Sequence, residues 1–295
     1  MTDYFVIGSS TSKNLAKKIA RKLHAEYVKT VTKAFPDGES KFTISGHVGK
    51  GTIIVVSSTG PPVDSNLVQT LSLISKSREL SSNVIAVVPY MGYAKQDKEF
   101  LKGEIITISV IAKLFKAAGA TKLMVVDFHS PDALGFFKLP TKNISAVPLL
   151  ANHFKNYKLR NPIAVSPDLF WKDNAEKFAK HIGMSAIALN KQRDRKTGKI
   201  LIKPPFPKFS KGQDIILFDD MVSSGTSVLK SIQLFKKENV GKIFVVCTHP
   251  VFVKDSENKI RKDGATEIIG TNSIQGKFSK VDLSEVISRT ILNWE

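Results

Sequence analysis

Two adjacent carboxylates and a run of small hydroxylated residues follow one another in the last third of the chain. Asp219 and Asp220 end an apolar run, and Ser223, Ser224, Gly225, Thr226 and Ser227 precede a stretch of helical period. A loop of this kind at the start of a helix directs backbone N–H groups and hydroxyls to one point, where a phosphate binds. The carboxylates suit sugar hydroxyls or a bound Mg²⁺. The alternative is an ordinary helix start with a serine N-cap.

Further polar groups follow other short apolar runs. His129 and Asp168 each come just after such a run, and Lys191 and Arg193 come after another. In α/β proteins ligands bind at the carboxyl ends of the strands, where Asp219 and Asp220 are expected to lie. A single histidine after a strand is more often structural than a ligand. A charged loop such as the one at Lys191 is, by default, simply solvated.

The elements that position these groups have a regular order. Apolar runs of strand length alternate with stretches of helical period, which indicates mainly parallel sheets covered by helices on both faces. The predicted strands are residues 4–7, 52–56, 84–88, 123–128, 163–165, 186–189, 215–218, 243–247 and 267–269. The predicted helices are residues 13–23, 67–80, 107–118, 171–181, 227–239 and 284–294. The fold class is therefore α/β.

A weak internal repeat indicates two tandem domains. Residues 52–60 match residues 214–220, each a strand with a polar end, and Gly-Ala-Thr precedes a strand at both 119–121 and 264–266. Chance similarity between α/β units is the alternative. The expected division is residues 1–143, residues 144–282, and a C-terminal helix in residues 283–295 that packs back on the first domain.

Composition and charge limit the function classes. The chain has 295 residues, 42% hydrophobic, and no apolar run reaches the roughly 18 residues of a membrane span. With no leader pattern at the start, we expect a cytoplasmic protein. The single cysteine, Cys247, lies in an apolar run and is expected in the core.

The net charge of +18 would fit binding to nucleic acid, binding of polyanionic small substrates, or simply a lysine-rich surface. No nucleic-acid-binding signature accompanies it, so we expect no nucleic-acid partner.

The segment from Asp219 to Ser227 resembles the phosphoribosyl-diphosphate loop of type I phosphoribosyltransferases and of ribose-phosphate diphosphokinases. The resemblance implies two phosphoribosyltransferase-like domains, with Asp219 and Asp220 on the ribose hydroxyls. It also implies that Ser223, Ser224, Gly225, Thr226 and Ser227 hold the 5-phosphate. This loop alone does not separate the two families.

Two segments favour the diphosphokinases. Phe-Pro-Asp-Gly-Glu at 35–39 is similar to a family segment that binds adenine across a subunit contact, although a plain β-turn would have the same sequence. Residues 89–98 are similar to a family stretch that contacts ATP, with Lys95 where the family usually has arginine. The implied ATP-binding residues are Phe35, Asp37, Gly38, Glu39, Lys95, Gln96 and Asp97.

The same resemblance gives roles to the polar groups after the other strands. His129, followed by Gly-Phe-Phe at 135–137, and Asp168 in Ser-Pro-Asp are implied ligands of Mg²⁺. Leu169 and the two aromatic residues after it stand where the family often has small ones. Lys191 and Arg193 match a Lys-x-Arg pair at the root of a mobile catalytic loop, and Arg193 also contacts ribose 5-phosphate. Residues 196–207, with Gly198 and prolines 204, 205 and 207, are then expected to fold over substrate.

The implied activity is that of a Mg²⁺-dependent ribose-phosphate diphosphokinase, with ATP and ribose 5-phosphate as substrates. A homo-oligomer built from dimers follows from an adenine site near a subunit contact. A P-loop is absent from the sequence, which argues against a P-loop kinase. The alternatives are a type I phosphoribosyltransferase and a non-catalytic regulatory relative. A phosphoribosyltransferase would not be expected to carry the segments at 35–39 and 89–98, which are called the ATP-side segments below. A regulatory relative should have lost residues such as His129 and Lys191.

Overall fold

The computed structural model describes residues 3–193, 200–204 and 207–294. The chain divides into two compact units. Unit 1 comprises residues 1–145, 273–275 and 283–295, and unit 2 comprises residues 146–272 and 276–282. The expected division into domains at 143/144 and 282/283 stays a prediction.

Unit 1 is a mainly parallel sheet with helices, in the strand order β3-β2-β1-β4-β5-β6-β7. All of its neighbouring strands are parallel except β2 and β3, which form an antiparallel hairpin. Its described elements are β1 Tyr4–Gly8, α1 Lys13–Lys22, β2 Glu26–Ala34, β3 Ser40–Ser45, β4 Thr52–Val56, α2 Val63–Leu80, β5 Asn83–Val88, α3 Thr107–Ala117, β6 Lys122–Val126, a 3₁₀ helix Pro131–Phe136, β7 Thr141–Ile144 and α8 Ser284–Leu292.

Unit 2 contains a parallel sheet in the order β15-β14-β13-β12-β8-β9 and a separate antiparallel pair, β10 and β11. Its described elements are α4 Val147–His153, β8 Ile163–Ser166, α5 Lys172–His181, β9 Ser185–Ala188, β10 Lys191–Arg193, β11 Ile200–Ile202, β12 Ile215–Val222, α6 Thr226–Lys237, β13 Ile243–Pro250, α7 Ser256–Lys262, β14 Glu267–Thr271 and β15 Ser279–Val281. The predicted fold class, an α/β chain with mainly parallel sheets flanked by helices, is confirmed.

The central strands are buried on both faces. Every residue of β4 and of β13 is buried, which explains why both strands consist mainly of apolar residues. Cys247 in β13 is fully buried, and this burial, with the nearby Asp219 carboxylate, raises the pKa of its thiol. In unit 1, α8 packs against α1, where Lys22 forms an ion pair with Glu285 at 2.5 Å. Within the described part of the chain, none of the helices is both long and apolar enough to cross a membrane.

Candidate active site

The two adjacent carboxylates lie inside a strand and not beyond its end. β12 continues through Val222, because the ladder to β13 resumes at Met221 after Asp219. The carboxylates also bond the local backbone: Asp219 Oδ1 accepts the N–H of Asp220 at 2.9 Å, and Asp220 Oδ1 accepts the N–H of Met221 at 2.6 Å. Asp220 is buried and Asp219 is half-buried. These bonds fix the direction of both side chains at the carboxyl end of the sheet.

The loop after β12 starts helix α6 through a glycine. The N-cap residue is Gly225, with φ +74°, and no side chain at this cap hydrogen-bonds the first turn. A side chain here would be strained, and its Cβ would lie 2.8 Å from Cδ1 of Ile260. The alternative of a serine N-cap is therefore wrong. Free of a capping side chain, the first-turn N–H groups remain suited to an anion.

The hydroxyls of this loop surround the start of α6. Ser224 Oγ and Thr226 Oγ1 lie 3.1 Å apart, and both residues are exposed. Ser223 and Ser227 are half-buried. The five predicted phosphate-binding residues are thus contiguous at one helix N-terminus, as a phosphate site requires.

Lys191 links the helix start to Asp168. Its Nζ lies 2.5 Å from Asp168 Oδ2 and donates to Ser227 Oγ at 3.2 Å. Only 18% of the Lys191 side chain and 21% of the Asp168 side chain are exposed, so water competes weakly for this contact. The contact follows from strand order, because Asp168 follows β8, Lys191 follows the neighbouring β9, and β12 lies on the other side of β8.

The second oxygen of Asp168 has a local role. Asp168 Oδ1 accepts the backbone N–H groups of Phe170 at 3.0 Å and Trp171 at 3.2 Å. This arrangement stabilises the turn that leads into α5. Leu169 and Phe170 are exposed beside it, whereas Trp171 is buried with its ring centroid 6.3 Å from that of Phe218.

Arg193 ends β10, and its backbone pairs with Ile200 of β11. Half of the predicted mobile segment 196–207, namely residues 196–199, 205 and 206, lies outside the described residues, and residues 200–202 form β11. The prediction that this segment folds over substrate therefore stays a prediction.

The first ATP-side segment forms the turn between β2 and β3. The N–H of Phe35 donates to Glu39 O at 2.8 Å, and the N–H of Gly38 donates to Phe35 O at 3.0 Å. Asp37 Oδ1 accepts the N–H of Glu39 at 3.0 Å, so this carboxylate stabilises the turn. Phe35 is 38% exposed, and Lys33 Nζ lies 5.4 Å from the centroid of its ring. An exposed aromatic ring beside a cation is available to a planar, negatively charged nucleotide.

The second ATP-side segment follows β5 and is held by Thr59. The Thr59 hydroxyl accepts the N–H of Gly92 at 2.7 Å, and a Cβ on Gly92 would lie 2.7 Å from the Thr59 carbonyl oxygen. Lys95 and Gln96 are exposed and Asp97 is half-buried. Gln96 Oε1 accepts the hydroxyl of Thr107, the first residue of α3, at 2.6 Å.

The role of Thr59 was not predicted from the sequence. The internal repeat could have indicated it, because Thr59 lies in the polar end of residues 52–60, and this segment corresponds to residues 214–220 with their polar end in β12.

His129 follows β6 in unit 1. β6 ends at Val126, two residues earlier than predicted, and Asp127 has φ +37°. The N–H of Phe128 donates to Asn143 Oδ1 at 3.0 Å, which holds the backbone just before His129. His129 itself is half-buried. The chain therefore turns sharply at the end of the strand and brings an imidazole to its carboxyl end.

Mg²⁺ is the metal that the sequence resemblance implies. Among the described residues, no group of three or more His, Cys, Asp or Glu side chains is arranged so that it could hold a metal ion by itself. Proteins usually hold Mg²⁺ with one or two carboxylates, substrate phosphates and water, so few protein donors are needed. A carboxylate offers about four lone-pair positions, and the three contacts of Asp168 described above leave room for another. The donors present therefore fit a magnesium ion bound together with phosphates.

Two family models match the chain. The N-terminal domain of ribose phosphate pyrophosphokinase matches residues 4–119, and the phosphoribosyl synthetase-associated domain matches residues 189–292. In solved structures, the chain is similar to phosphoribosylpyrophosphate synthetase from Mycobacterium smegmatis, with a TM-score of 0.84 and 24% identity over 98% of each chain. This similarity concerns the fold.

Curated relatives cover nearly the whole chain. A ribose-phosphate pyrophosphokinase from Methanobrevibacter smithii is 31% identical over 97% of this chain and 99% of its own length. One from Sulfurisphaera tokodaii is 30% identical over 97% of this chain and 99% of its own length. With the site residues in the order described above, these matches show that the chain is an enzyme of the ribose-phosphate pyrophosphokinase family.

Proposed function

We propose that unit 2 supplies the ribose-phosphate-binding and catalytic residues of this ribose-phosphate pyrophosphokinase, and that unit 1 supplies the ATP-binding residues. The substrates are ATP and ribose 5-phosphate. The 1-hydroxyl of the sugar attacks the β-phosphorus of ATP, so the diphosphoryl group is transferred and AMP leaves. Little covalent chemistry falls to the protein, and catalysis depends on positioning and on neutralising negative charge.

The ribose 5-phosphate is bound by the β12–α6 segment. The first-turn N–H groups of α6 and the hydroxyls of Ser223 to Ser227 hold the 5-phosphate. Asp219 and Asp220 accept hydrogen bonds from the ribose hydroxyls, which orients the anomeric hydroxyl. The observation that carries this assignment is the contact of Lys191 with Ser227 at 3.2 Å, which puts the proposed catalytic ammonium at this helix start.

The adenine and phosphates of ATP are bound by the two exposed segments of unit 1. The Phe35 ring contacts the base, with Asp37, Gly38 and Glu39 in the same turn. Lys95, Gln96 and Asp97 provide a cation, an amide and a carboxylate for the rest of the nucleotide. These residues are exposed or half-buried, which agrees with a role in binding and not in the core.

Lys191 and Arg193 neutralise charge on the transferred group. Lys191 touches a residue of the phosphate loop, and Arg193 lies two residues along the same strand. His129 and Asp168 would hold Mg²⁺, which when bound supplies positive charge to phosphate oxygens. The net charge of +18 attracts polyanionic substrates at the same time.

A product assay tests the function. The purified enzyme is incubated with ATP, Mg²⁺ and ribose 5-phosphate, and AMP and ADP are separated by chromatography. We expect AMP in equal amount to 5-phosphoribosyl 1-diphosphate. Formation of ADP instead would contradict diphosphoryl transfer, and no sugar-dependent product at all would favour the regulatory relative. Omitting ribose 5-phosphate is the control for simple ATP hydrolysis.

We also propose that the enzyme acts in the cytoplasm as a homo-oligomer built from dimers, with the turn at Phe35 near a subunit contact. The exposure of Phe35 in the turn at the end of the β2–β3 hairpin supports the proposal that this turn lies near a subunit contact. Sedimentation analysis of the wild-type enzyme and of a variant at Phe35 measures the assembly. A monomer with full activity would contradict it.

A further inference from the structure

The two oxygens of the Asp168 carboxylate have different partners. Oδ1 accepts two backbone N–H groups, those of Phe170 and Trp171, and so stabilises the local turn. Oδ2 lies 2.5 Å from Nζ of Lys191, which is 23 positions further along the chain. The turn before α5 needs only the first oxygen. The second oxygen therefore serves Lys191.

The Lys191 ammonium lies where a cation is disfavoured unless an anion is near. Its second partner is the hydroxyl of Ser227, which is the second residue of α6. The N-terminus of a helix carries a partial positive charge, which repels an ammonium group. The Asp168 carboxylate offsets that repulsion. Without it, the flexible four-carbon stem of the lysine would turn towards solvent, where its ammonium is better hydrated.

We propose that Asp168 is the positioning residue of Lys191, and that it holds the ammonium beside the phosphate loop before substrate binds. This inference rests on the proposed role of Lys191 in turnover. It adds that Asp168 acts on the reaction through Lys191, in addition to any contact of its own with a metal. The phosphate of the substrate then takes over the negative charge that the carboxylate supplies in the free enzyme.

The Asp168→Asn variant separates the two functions of the carboxylate. Asparagine keeps an Oδ1 that accepts the N–H groups of Phe170 and Trp171, so the turn is retained. It removes the negative charge that faces Lys191. The matched control is Glu176→Gln, which removes the carboxylate of the exposed Lys172–Glu176 pair, 3.6 Å apart in the same unit.

The first measurement follows Lys191 without substrate, metal or turnover. The enzyme receives a brief pulse of acetic anhydride, and acetylation of each lysine is quantified by peptide mass spectrometry. We expect Lys191 to be acetylated at least about fivefold faster in the Asp168→Asn variant than in the wild-type enzyme. This is the effect of losing one charge-assisted hydrogen bond. Glu176→Gln should leave the rate at Lys191 unchanged. An unchanged rate in Asp168→Asn would overturn the proposal, whatever the activity of the variant.

The second measurement is a double-mutant cycle on kcat with Lys191→Met. In the wild-type background we expect Asp168→Asn to lower kcat by up to about 100-fold, as for a slightly misplaced catalytic group. In the Lys191→Met background the loss of kcat should be at least about tenfold smaller, because the group that Asp168 positions is already gone and only its metal contact remains to be lost. An equal loss in both backgrounds would overturn the proposal and leave Asp168 as an independent ligand. Normal turnover in Lys191→Met alone would instead contradict the role of Lys191, and the acetylation result would still stand.

Discussion

The ATP-side segments of unit 1 and the phosphate-side residues of unit 2 are held in different ways. Phe35 and Lys95 are exposed, and it is the backbone around them that is fixed, by turns and by Thr59, whereas the Gln96 side chain is held by Thr107. In unit 2 the functional side chains themselves are joined, since Lys191 contacts both Asp168 and Ser227. The proposed phosphate side is therefore largely preorganised, whereas we expect Phe35 and Lys95 on the proposed ATP side to adopt their final positions with the nucleotide.

This difference has an energetic meaning. A preorganised polar site costs little reorganisation when charge develops during the reaction, so its residues should affect turnover most. Exposed side chains lose rotamer freedom only on binding, so their contribution should appear mainly in the KM for ATP. Variants in the two units test this contrast.

The largest effect is expected at Lys191. Lys191→Ala should lower kcat by about 100- to 1000-fold, because one charged donor to the transferred group is lost. AMP formation measures kcat, and circular dichroism measures whether the fold is kept. The control variant Lys172→Ala removes an exposed lysine of the same unit, and its kcat should be close to that of the wild-type enzyme. Near-normal turnover of Lys191→Ala would contradict the catalytic assignment.

The next largest effect is expected on the ATP side. Phe35→Ala should raise the KM for ATP by about 5- to 100-fold, since aromatic contacts with bases are worth ~1–3 kcal/mol. Initial rates at varied ATP and at varied ribose 5-phosphate measure the two KM values separately. Because the turn is held by backbone bonds, kcat should change little. A large fall in kcat with an unchanged KM for ATP would contradict the contrast between the units.

A third variant tests the backbone of the phosphate loop. Gly225→Ala should lower the free energy of unfolding by about 1–2 kcal/mol, the cost of a left-handed conformation for an L-residue. The added methyl would also press against Ile260 and raise the KM for ribose 5-phosphate. Gly276→Ala is the control, because its Cβ would meet no atom within 4 Å. Urea unfolding measures the free energy of unfolding of the two variants. Equal values would show that the loop relaxes freely around the added methyl group.

The smallest effect is expected at Lys95. Lys95→Arg should lower the KM for ATP by up to about fivefold, because exposed ionic contacts are worth up to ~1 kcal/mol. The guanidinium offers two parallel donors to phosphate where lysine offers a point charge. Rates at varied ATP measure this, with the KM for ribose 5-phosphate as the internal control. A higher KM for ATP would indicate that this chain is adapted to lysine.

Much of the sheet could be predicted from the sequence, because buried parallel strands are continuous apolar runs. The prediction was right at residues 52–56, which are β4, and nearly so for the central strands of both units. The hairpin of β2 and β3 was missed because most of its residues are partly or fully exposed and lack an apolar run. Helices α4 and α7 were also missed, since seven residues give too short a periodic signal.

The candidate site was also predicted only in part, for the same reason. The residue types of the loop at 223–227 indicated a phosphate site, and the alternative of an ordinary serine N-cap was wrong because the left-handed Gly225 is the N-cap of α6. The carboxylates were expected beyond the strand, yet β12 continues to Val222. Strand ends depend on pairing with neighbours, which the sequence of one strand does not contain.

By itself, the sequence determined the α/β class, the order of the motifs and the chemical type of each candidate residue. These follow from local hydrophobic pattern and from residue identity. Only the tertiary structure decided that Lys191 meets Asp168 and Ser227. That contact depends on the strand order β12-β8-β9, which brings together the ends of three strands distant in the chain. Strand order is set by long-range packing of the whole sheet, and local sequence does not encode it.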